Sequence, residues 1–403
     1  MKERINKNVG SLAFVVYFIQ GALGLSAIAL PLFMRENGYS ISKIAWITSL
    51  TTWPWFVKIL YGIISDGIPI FGLRRKPYLI ICSLFSAAGW FLLAVGQAQD
   101  VTVIFALTLA NLGLAATDVI TDGLVVEYSD KSTAQTYQSI SWGARSIGAL
   151  LAGVTGGYLT VKVGYRTVFL LTGFLPMISF VVSFFIHEQP SDARSRKEKI
   201  AEAVFTSFKY LFQRKILWFM LLFAVSALPV AIGTPFFFYM KDQLRFNEFF
   251  LGLLQSLTWL GAIIGCLFYA RFFKTMKDQT ALYWAVMITF VDVLLVFAIR
   301  GRVSAGVLSV IGGILGYISL LPFMSLAAKL SHGTGVEGSL FAMISSIYNL
   351  SQAIFRSAGG MLYEGIGLNW LILATAFLSL TGFWFIRKLS KNMSPNPTFS
   401  SIL

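Results

Sequence analysis

Long uninterrupted apolar segments constrain the fold of this chain more than any other feature. Two examples are the segments from Val9 to Met34 and from Ser304 to Ala328. A helix of about 20 apolar residues crosses the roughly 30 Å hydrocarbon core of a bilayer. Only 12% of the 403 residues are charged, which is about half the share found in soluble domains. The lipid bilayer is therefore the expected solvent for most side chains.

The apolar segments predict an all-α membrane protein with about twelve transmembrane helices in two sets of six. We expect the first set near 9–33, 42–64, 77–97, 101–126, 136–160 and 167–187. We expect the second set near 215–240, 249–271, 280–299, 304–328, 337–361 and 368–387. The resulting domains are an N-terminal six-helix bundle over 1–187, a cytoplasmic linker over 188–214, a C-terminal bundle over 215–391 and a cytoplasmic tail over 392–403.

The positive charges alternate with the predicted loops. A net charge of +14 would suggest a nucleic-acid partner in a soluble chain. With the N-terminus in the cytoplasm, however, most of the 32 Lys and Arg residues fall in cytoplasmic segments. This is the positive-inside pattern, and anionic lipid headgroups account for the charge. We therefore expect both termini in the cytoplasm, a lipid partner and no nucleic acid.

The two halves of the sequence are related by a repeat. A shift of 203 residues superposes five glycines on five others: Gly62 on Gly265, Gly113 on Gly316, Gly156 on Gly359, Gly157 on Gly360 and Gly164 on Gly367. Parallel six-helix halves are the architecture of major facilitator transporters. The Gly-x-x-x-Gly pairs Gly261/Gly265 and Gly312/Gly316 predict close helix packing within such halves.

Six charged residues lie within predicted spans and away from the span ends, where a charge is costly unless it is paired or functional. They are Lys58, Asp118, Asp122, Arg145, Asp292 and Arg356. The helical rise of about 1.5 Å per residue places Lys58, Asp118 and Arg145 at similar depth. Asp118 and Asp122 are four residues apart and share one helix face.

Two interpretations of these charges stay open. Lys58 and Asp118 either form a structural ion pair or belong to a site for a polar substrate or a proton. For Asp292 a structural role is favoured, and for Arg356 both roles are open. No zinc-ligand spacing, P-loop or nucleophile elbow is present. We therefore expect no enzyme activity, no metal and no cofactor.

Three ordered motifs carry a family resemblance. GIISDGIPIFGLRRKPY, from Gly62 to Tyr78, resembles the loop signature of major facilitators. Together with WPWFVKI before it, ATDVITDGLVVE from 116 to 127 and YQSISWGARSIGALLAG from 137 to 153, it resembles the folate-biopterin transporter family. FIQGALGL in the first span extends the likeness over roughly residues 14–175. The second half matches only in architecture.

The resemblance implies a secondary active transporter of folates or pterins that works by alternating access, with protons as the expected coupling ion. One relative carries S-adenosylmethionine, so a transporter of that or another metabolite is the alternative. A non-transporting membrane receptor or scaffold is a further one. The chain is short for the family and has no long termini, and we expect a monomer in a bacterial cytoplasmic (inner) membrane.

The resemblance also implies roles for individual residues. Asp118 and Asp122 would accept the adjacent N–H donors of a pterin ring, and Lys58, Arg145 and Arg356 would bind the carboxylate tail of a folate. The aromatic residues that could stack on the ring, or simply pack, are Tyr17, Trp53, Trp55 and Trp142. The residues expected to control the conformational change are Gly62, Asp66, Arg74, Arg75 and Glu127.

Overall fold

The computed structural model describes residues 7–128, 134–188, 205–273 and 276–393. Within these ranges the regular structure is helical, without a β-strand, and the one isolated β-bridge joins Ile70 to Leu73. The prediction of an all-α membrane protein is confirmed.

The helices are numbered here in chain order. The first seven are α1 Lys7–Ala22, α2 Ala29–Glu36, α3 Ile41–Leu50, α4 Lys58–Gly67, α5 Lys76–Val95, α6 Asp100–Tyr128 and α7 Ala134–Ser183. The next seven are α8 Arg214–Val225, α9 Gly233–Phe238, α10 Glu248–Phe268, α11 Asp278–Leu295, α12 Arg302–Ser331, α13 Glu337–Ser379 and α14 Gly382–Met393.

Nine helical stretches in the described part of the chain are long and apolar enough to cross a membrane. Two of them, Ser139–Ser183 and Ser339–Lys391, contain 45 and 53 residues, whereas one crossing needs about 20. Each of these two stretches is thus long enough for two crossings. The span predicted near 42–64 is absent from the nine because it is broken into two shorter helices. The total of twelve crossings stays a prediction.

Both double-length stretches are interrupted at a glycine with a positive φ. Gly164 has φ 76° and ψ 167°, and Gly367 has φ 73° and ψ 171°. Only glycine adopts this region without strain, because it has no Cβ. The two residues are equivalent under the 203-residue shift, so the repeat seen in the sequence recurs in the backbone.

The first span of each half is also interrupted at matching positions. A 3₁₀ turn, Leu23–Ser26, follows α1, and another, Leu228–Ile232, precedes α9. A Cβ on Gly156 would lie 2.3 Å from a carbonyl oxygen of the first interruption, and a Cβ on Gly359 would lie 2.0 Å from one in the second. Equivalent glycines therefore accept the interrupted spans in both halves.

The chain forms two compact units. The first comprises Met1–Tyr39, Leu50–Glu202 and Asn247–Ser256, and the second comprises Ser40–Ser49, Ala203–Phe246 and Leu257–Leu403. Each unit includes a short segment of the other predicted bundle. Of the predicted linker over 188–214, residues 189–204 lie outside the described part, as do residues 394–403 of the predicted tail. The domain boundaries at 187, 215 and 391 stay predictions.

One glycine pair packs as predicted and the other does not. Cβ atoms on Gly261 and Gly265 would lie 2.1 and 2.6 Å from backbone oxygens of α12, which confirms the close approach at this pair. The prediction for Gly312/Gly316 is wrong, because nothing lies within 4 Å of a Cβ on Gly316. Gly313 takes that role, with a backbone oxygen of α10 only 2.1 Å away. One residue turns a helix by about 100°, so Gly313 faces a different neighbour.

Candidate functional site

The second span breaks at the sequence Trp53-Pro54-Trp55, which forms a 3₁₀ turn between α3 and α4. Pro54 has no N–H to donate to the preceding turn and its ring crowds that turn, which favours an interruption of the α-helix here. The Tyr61 hydroxyl donates to the Pro54 carbonyl oxygen over 3.0 Å. The prediction of one continuous span over 42–64 is corrected, and α4 begins at Lys58.

Lys58 and Asp118 form an ion pair between α4 and α6. Lys58 Nζ lies 2.7 Å from Asp118 Oδ2, and the two side chains are 19% and 6% exposed. The Gln20 side chain, from α1, donates through Nε2 to the other carboxylate oxygen, Oδ1. Both oxygens of Asp118 are therefore engaged, and the group joins three helices.

Trp55 supports the Lys58 ammonium rather than lining open space. Lys58 Nζ lies 4.6 Å from the centroid of the Trp55 ring, within the range of a cation–π interaction. The Trp55 indole N–H donates to Asn111 Oδ1 over 2.9 Å, which fixes the ring orientation. Trp53 is 42% exposed and makes no ring contact with the part of the chain that is described.

Asp122 has a different set of partners. The Tyr17 hydroxyl donates to Asp122 Oδ1 over 2.5 Å. Asp122 lies one helical turn from Asp118, as its position in the sequence predicts. Among the described residues, no Lys or Arg forms an ion pair with Asp122.

Arg145 is close to aromatic rings rather than to an acid. Its Cζ lies 5.2 Å from the centroid of the Trp142 ring, and the Trp142 and Tyr17 ring centroids are 6.5 Å apart. The helices approach closely here, since a Cβ on Gly21 would lie 2.0 Å from the Arg145 carbonyl oxygen. The guanidinium forms no ion pair within the described ranges.

The second compact unit contains two further predicted site residues. Arg356 lies on α13 and Asp292 on α11, and neither makes a hydrogen bond or ion pair with any described residue. A Cβ on Gly312 would lie 3.4 Å from Asp292 Oδ1. This distance is an ordinary van der Waals contact, so an alanine at this position would also fit beside the Asp292 carboxylate.

The basic loop after α4 forms a second polar cluster. Arg74 Nη2 lies 3.0 Å from Glu127 Oε1, and Arg75 Nη1 donates to Ser65 Oγ over 3.1 Å. A Cβ on Gly123 would lie 2.7 Å from the Arg75 guanidinium, so only glycine fits there without displacing it. Three predicted residues thus belong to one region of the fold.

For two other residues predicted to control the conformational change, the described residues show no contact that supports the prediction. Gly62 lies on α4, and the nearest atom to a Cβ there would be a Val119 methyl at 3.8 Å. The side chain of Asp66 lies outside the described part of the chain.

Glu188 completes the cluster and was not predicted from the sequence. Its carboxylate accepts backbone N–H groups of Arg74 at 2.8 Å, Arg75 at 3.0 Å and Lys76 at 2.9 Å. An acid at a helix N-terminus satisfies N–H groups that have no partner within the helix. The segment that follows α7 is thereby fixed to the start of α5.

Solved transporter structures share this fold. A POT family transporter in complex with 5-aminolevulinic acid has a TM-score of 0.73 at 14% identity, over 95% of this chain and 97% of that chain. Another, in complex with a thioalcohol conjugated peptide, has a TM-score of 0.71 at 14% identity, over 98% and 96%. The predicted major facilitator fold is confirmed, and this chain is a multi-pass membrane protein with that fold.

Residues 20–393 match the BT1 family, and the chain belongs to that family. It is 30% identical over 369 residues to "Folate-biopterin transporter" of Synechocystis sp., covering 88% of this chain and 74% of the relative. It is 26% identical over 439 residues to "Probable folate-biopterin transporter 4" of Arabidopsis thaliana, covering 89% of each. The match includes the second half, which the sequence motifs had related only by architecture.

Proposed function

We propose that the chain is a secondary transporter that moves folates or pterins across the membrane by alternating access. Its curated relatives are named as folate-biopterin transporters, and "Folate transporter 1" of Plasmodium falciparum is 22% identical over 372 residues, 88% of this chain and 72% of the relative. The observation that carries the proposal is the buried group of Lys58, Asp118 and Gln20, which offers both acceptors and donors inside a membrane bundle.

Asp118 is the proposed acceptor for the pterin ring. The ring presents a 2-amino group and an N–H as adjacent donors, which a carboxylate can accept as a fork. The side-chain amide of Gln20 would move away from Asp118 Oδ1, so that this oxygen could accept the hydrogen bond from the ring. Lys58 has three N–H donors, so it can retain Asp118 and also donate to the ring carbonyl. The carboxylate stays compensated throughout, which avoids the cost of an unpaired buried charge.

Arg145 and Arg356 are the proposed partners of the folate tail. Each is a guanidinium without an ion pair in the described structure, and a carboxylate matches its planar set of donors. Trp142, 48% exposed, is the proposed stacking residue beside Arg145. Tyr17 contacts its ring.

Several finer properties are proposed with this function. The Arg74–Glu127 and Arg75–Ser65 contacts are the proposed gating contacts that change between inward-facing and outward-facing states. We propose that the protein lies in a bacterial inner membrane with both termini in the cytoplasm. We also propose that the transporter is a monomer. Labelling of single cysteines placed in the helix over 205–211 tests the orientation, and labelling from the outside would refute it.

Uptake of labelled folate into liposomes that contain the purified protein tests the function. We expect uptake that unlabelled folate and pterin inhibit and S-adenosylmethionine does not. Inhibition by S-adenosylmethionine alone would identify the alternative substrate, and binding without uptake would indicate a receptor or scaffold.

Arg356→Met tests the tail contact in the same preparation. Charged hydrogen bonds contribute about 1.5–3 kcal/mol, so we expect folate affinity to fall about tenfold or more. A pterin without a carboxylate is the matched control, and its affinity should stay the same. Equal losses for both ligands would contradict a contact to the tail.

A further inference from the structure

Asp118 and Asp122, two acids of α6, differ in the partners of their carboxylates. Asp118 has a cation at 2.7 Å and an amide donor. Asp122, one turn away, has the Tyr17 hydroxyl at 2.5 Å and no ion pair among the described residues. Of these two carboxylates, only that of Asp118 is neutralised by a cation in contact with it.

The charged and titratable groups that act on Asp122 are Tyr17 on α1, Lys58 on α4 and Asp118 on α6 itself. Arg145, on α7, acts on Tyr17 and Asp118. Lys58 forms its ion pair with Asp118, and the Arg145 guanidinium lies over the Trp142 ring. A second ionised carboxylate beside the first is disfavoured at membrane depth.

We propose that Asp122 binds the coupling proton and that Tyr17 is the residue that positions it. This inference rests on the proposed transport function. A proton from water on one side adds to the Asp122 carboxylate and gives a neutral acid, while Tyr17 continues to donate to Oδ1. After the conformational change the same proton leaves to water on the other side, and no other bond forms or breaks.

The geometry favours Asp122 over Asp118 and Glu127 for this role. A proton on Asp118 would leave the Lys58 ammonium without its partner, whereas a proton on Asp122 removes a charge that Asp118 repels. Glu127 is exposed and already paired with Arg74. Asp122 can therefore gain and lose a proton without breaking an ion pair.

Folate uptake into liposomes with a pH gradient of one unit and a clamped membrane potential tests the proposal. One coupled proton per substrate allows an accumulation of about tenfold for the wild type. Asparagine resembles the protonated acid in shape and charge. For Asp122→Asn we therefore expect the folate concentration inside the liposomes to rise no higher than the concentration outside. Folate exchange should persist and should no longer depend on pH.

Asp122→Glu and Tyr17→Phe provide independent readouts. The glutamate keeps a titratable group, so we expect gradient-driven accumulation to return. Loss of the Tyr17 hydroxyl removes a donor to the ionised carboxylate, so the pH of half-maximal uptake should rise. These two variants decide the matter if the asparagine variant does not fold, as judged by thermal shift with folate.

Each result has a definite meaning. Accumulation by Asp122→Asn equal to that of the wild type would overturn the inference, as would a Tyr17→Phe profile that does not move. Wild-type exchange without any response to the pH gradient would also overturn it, while the proposed function would stand. A wild type that exchanges no folate would instead refute the proposed function and, with it, this inference.

Discussion

Removal of Lys58 alone should destabilise the protein far more than removal of both partners of the Lys58–Asp118 pair. Breaking a buried pair leaves an uncompensated charge, at a cost of about 3–5 kcal/mol. Lys58→Met leaves Asp118, only 6% exposed, with Gln20 as its remaining partner. We expect a cost near the upper end, about 4 kcal/mol.

Asp118→Asn should cost less. The Lys58 side chain is 19% exposed, and its ammonium keeps the Trp55 ring at 4.6 Å, which is worth about 0.5–2 kcal/mol. We therefore expect a cost of about 2 kcal/mol. The double variant, with neither charge, should lie within about 1–2 kcal/mol of the wild type.

The assay is the free energy of unfolding of the purified protein in mixed detergent micelles for all four members of the cycle. The matched control is Lys329→Met, because Lys329 lies equally close to Asp278, at 2.7 Å, but is 45% exposed. An exposed pair contributes about 0–1 kcal/mol. Single-variant costs that add in the double variant within about 0.5 kcal/mol would refute the reasoning.

Three further predictions test the fold and the gate. Gly164→Ala and Gly367→Ala should each lower the free energy of unfolding by about 1–3 kcal/mol, because both glycines have a positive φ. The control is Gly143→Ala, which should be neutral or slightly stabilising because there is open space at its Cβ. Equal costs at all three sites would contradict this prediction. Gly21→Ala should abolish folded yield, since its Cβ would lie 2.0 Å from a backbone oxygen; a normal yield on size-exclusion chromatography would count against the packing. Arg75→Ala should slow folate uptake while folate affinity in a thermal-shift titration stays intact, and a large loss of affinity would exclude a gating role.

The charged residues of the first unit could be predicted from the sequence because a charge inside an apolar span is conspicuous. The helical rise then sufficed to place Lys58 beside Asp118. Gln20 and Asn111 were missed because uncharged amides are less costly in a span and are not marked by any spacing. Glu188 was missed because its partner Arg74 is 114 residues away, and no local pattern encodes such a contact.

The break in the second span could have been predicted from its proline, although the apolar composition of the segment indicated one continuous helix. Pro54 stands within a segment whose hydropathy alone predicts one helix, while proline chemistry predicts an interruption. The Gly312/Gly316 motif failed for the opposite reason. Its spacing specifies one helix face but does not specify which neighbour that face meets.

The Pro54 break makes the second span a pair of short rods rather than one long rod. The helices α3 and α4 have 10 residues each, so each is about 15 Å long. Ser40–Ser49 and the segment that starts at Leu50 are assigned to different compact units. The break therefore comes just after the point where the chain passes from one unit to the other. In α10, by contrast, the corresponding passage at Ser256 occurs within an unbroken helix. The second span therefore changes unit beside a turn that lacks regular α-helical hydrogen bonds, whereas α10 changes unit within a continuous α-helix.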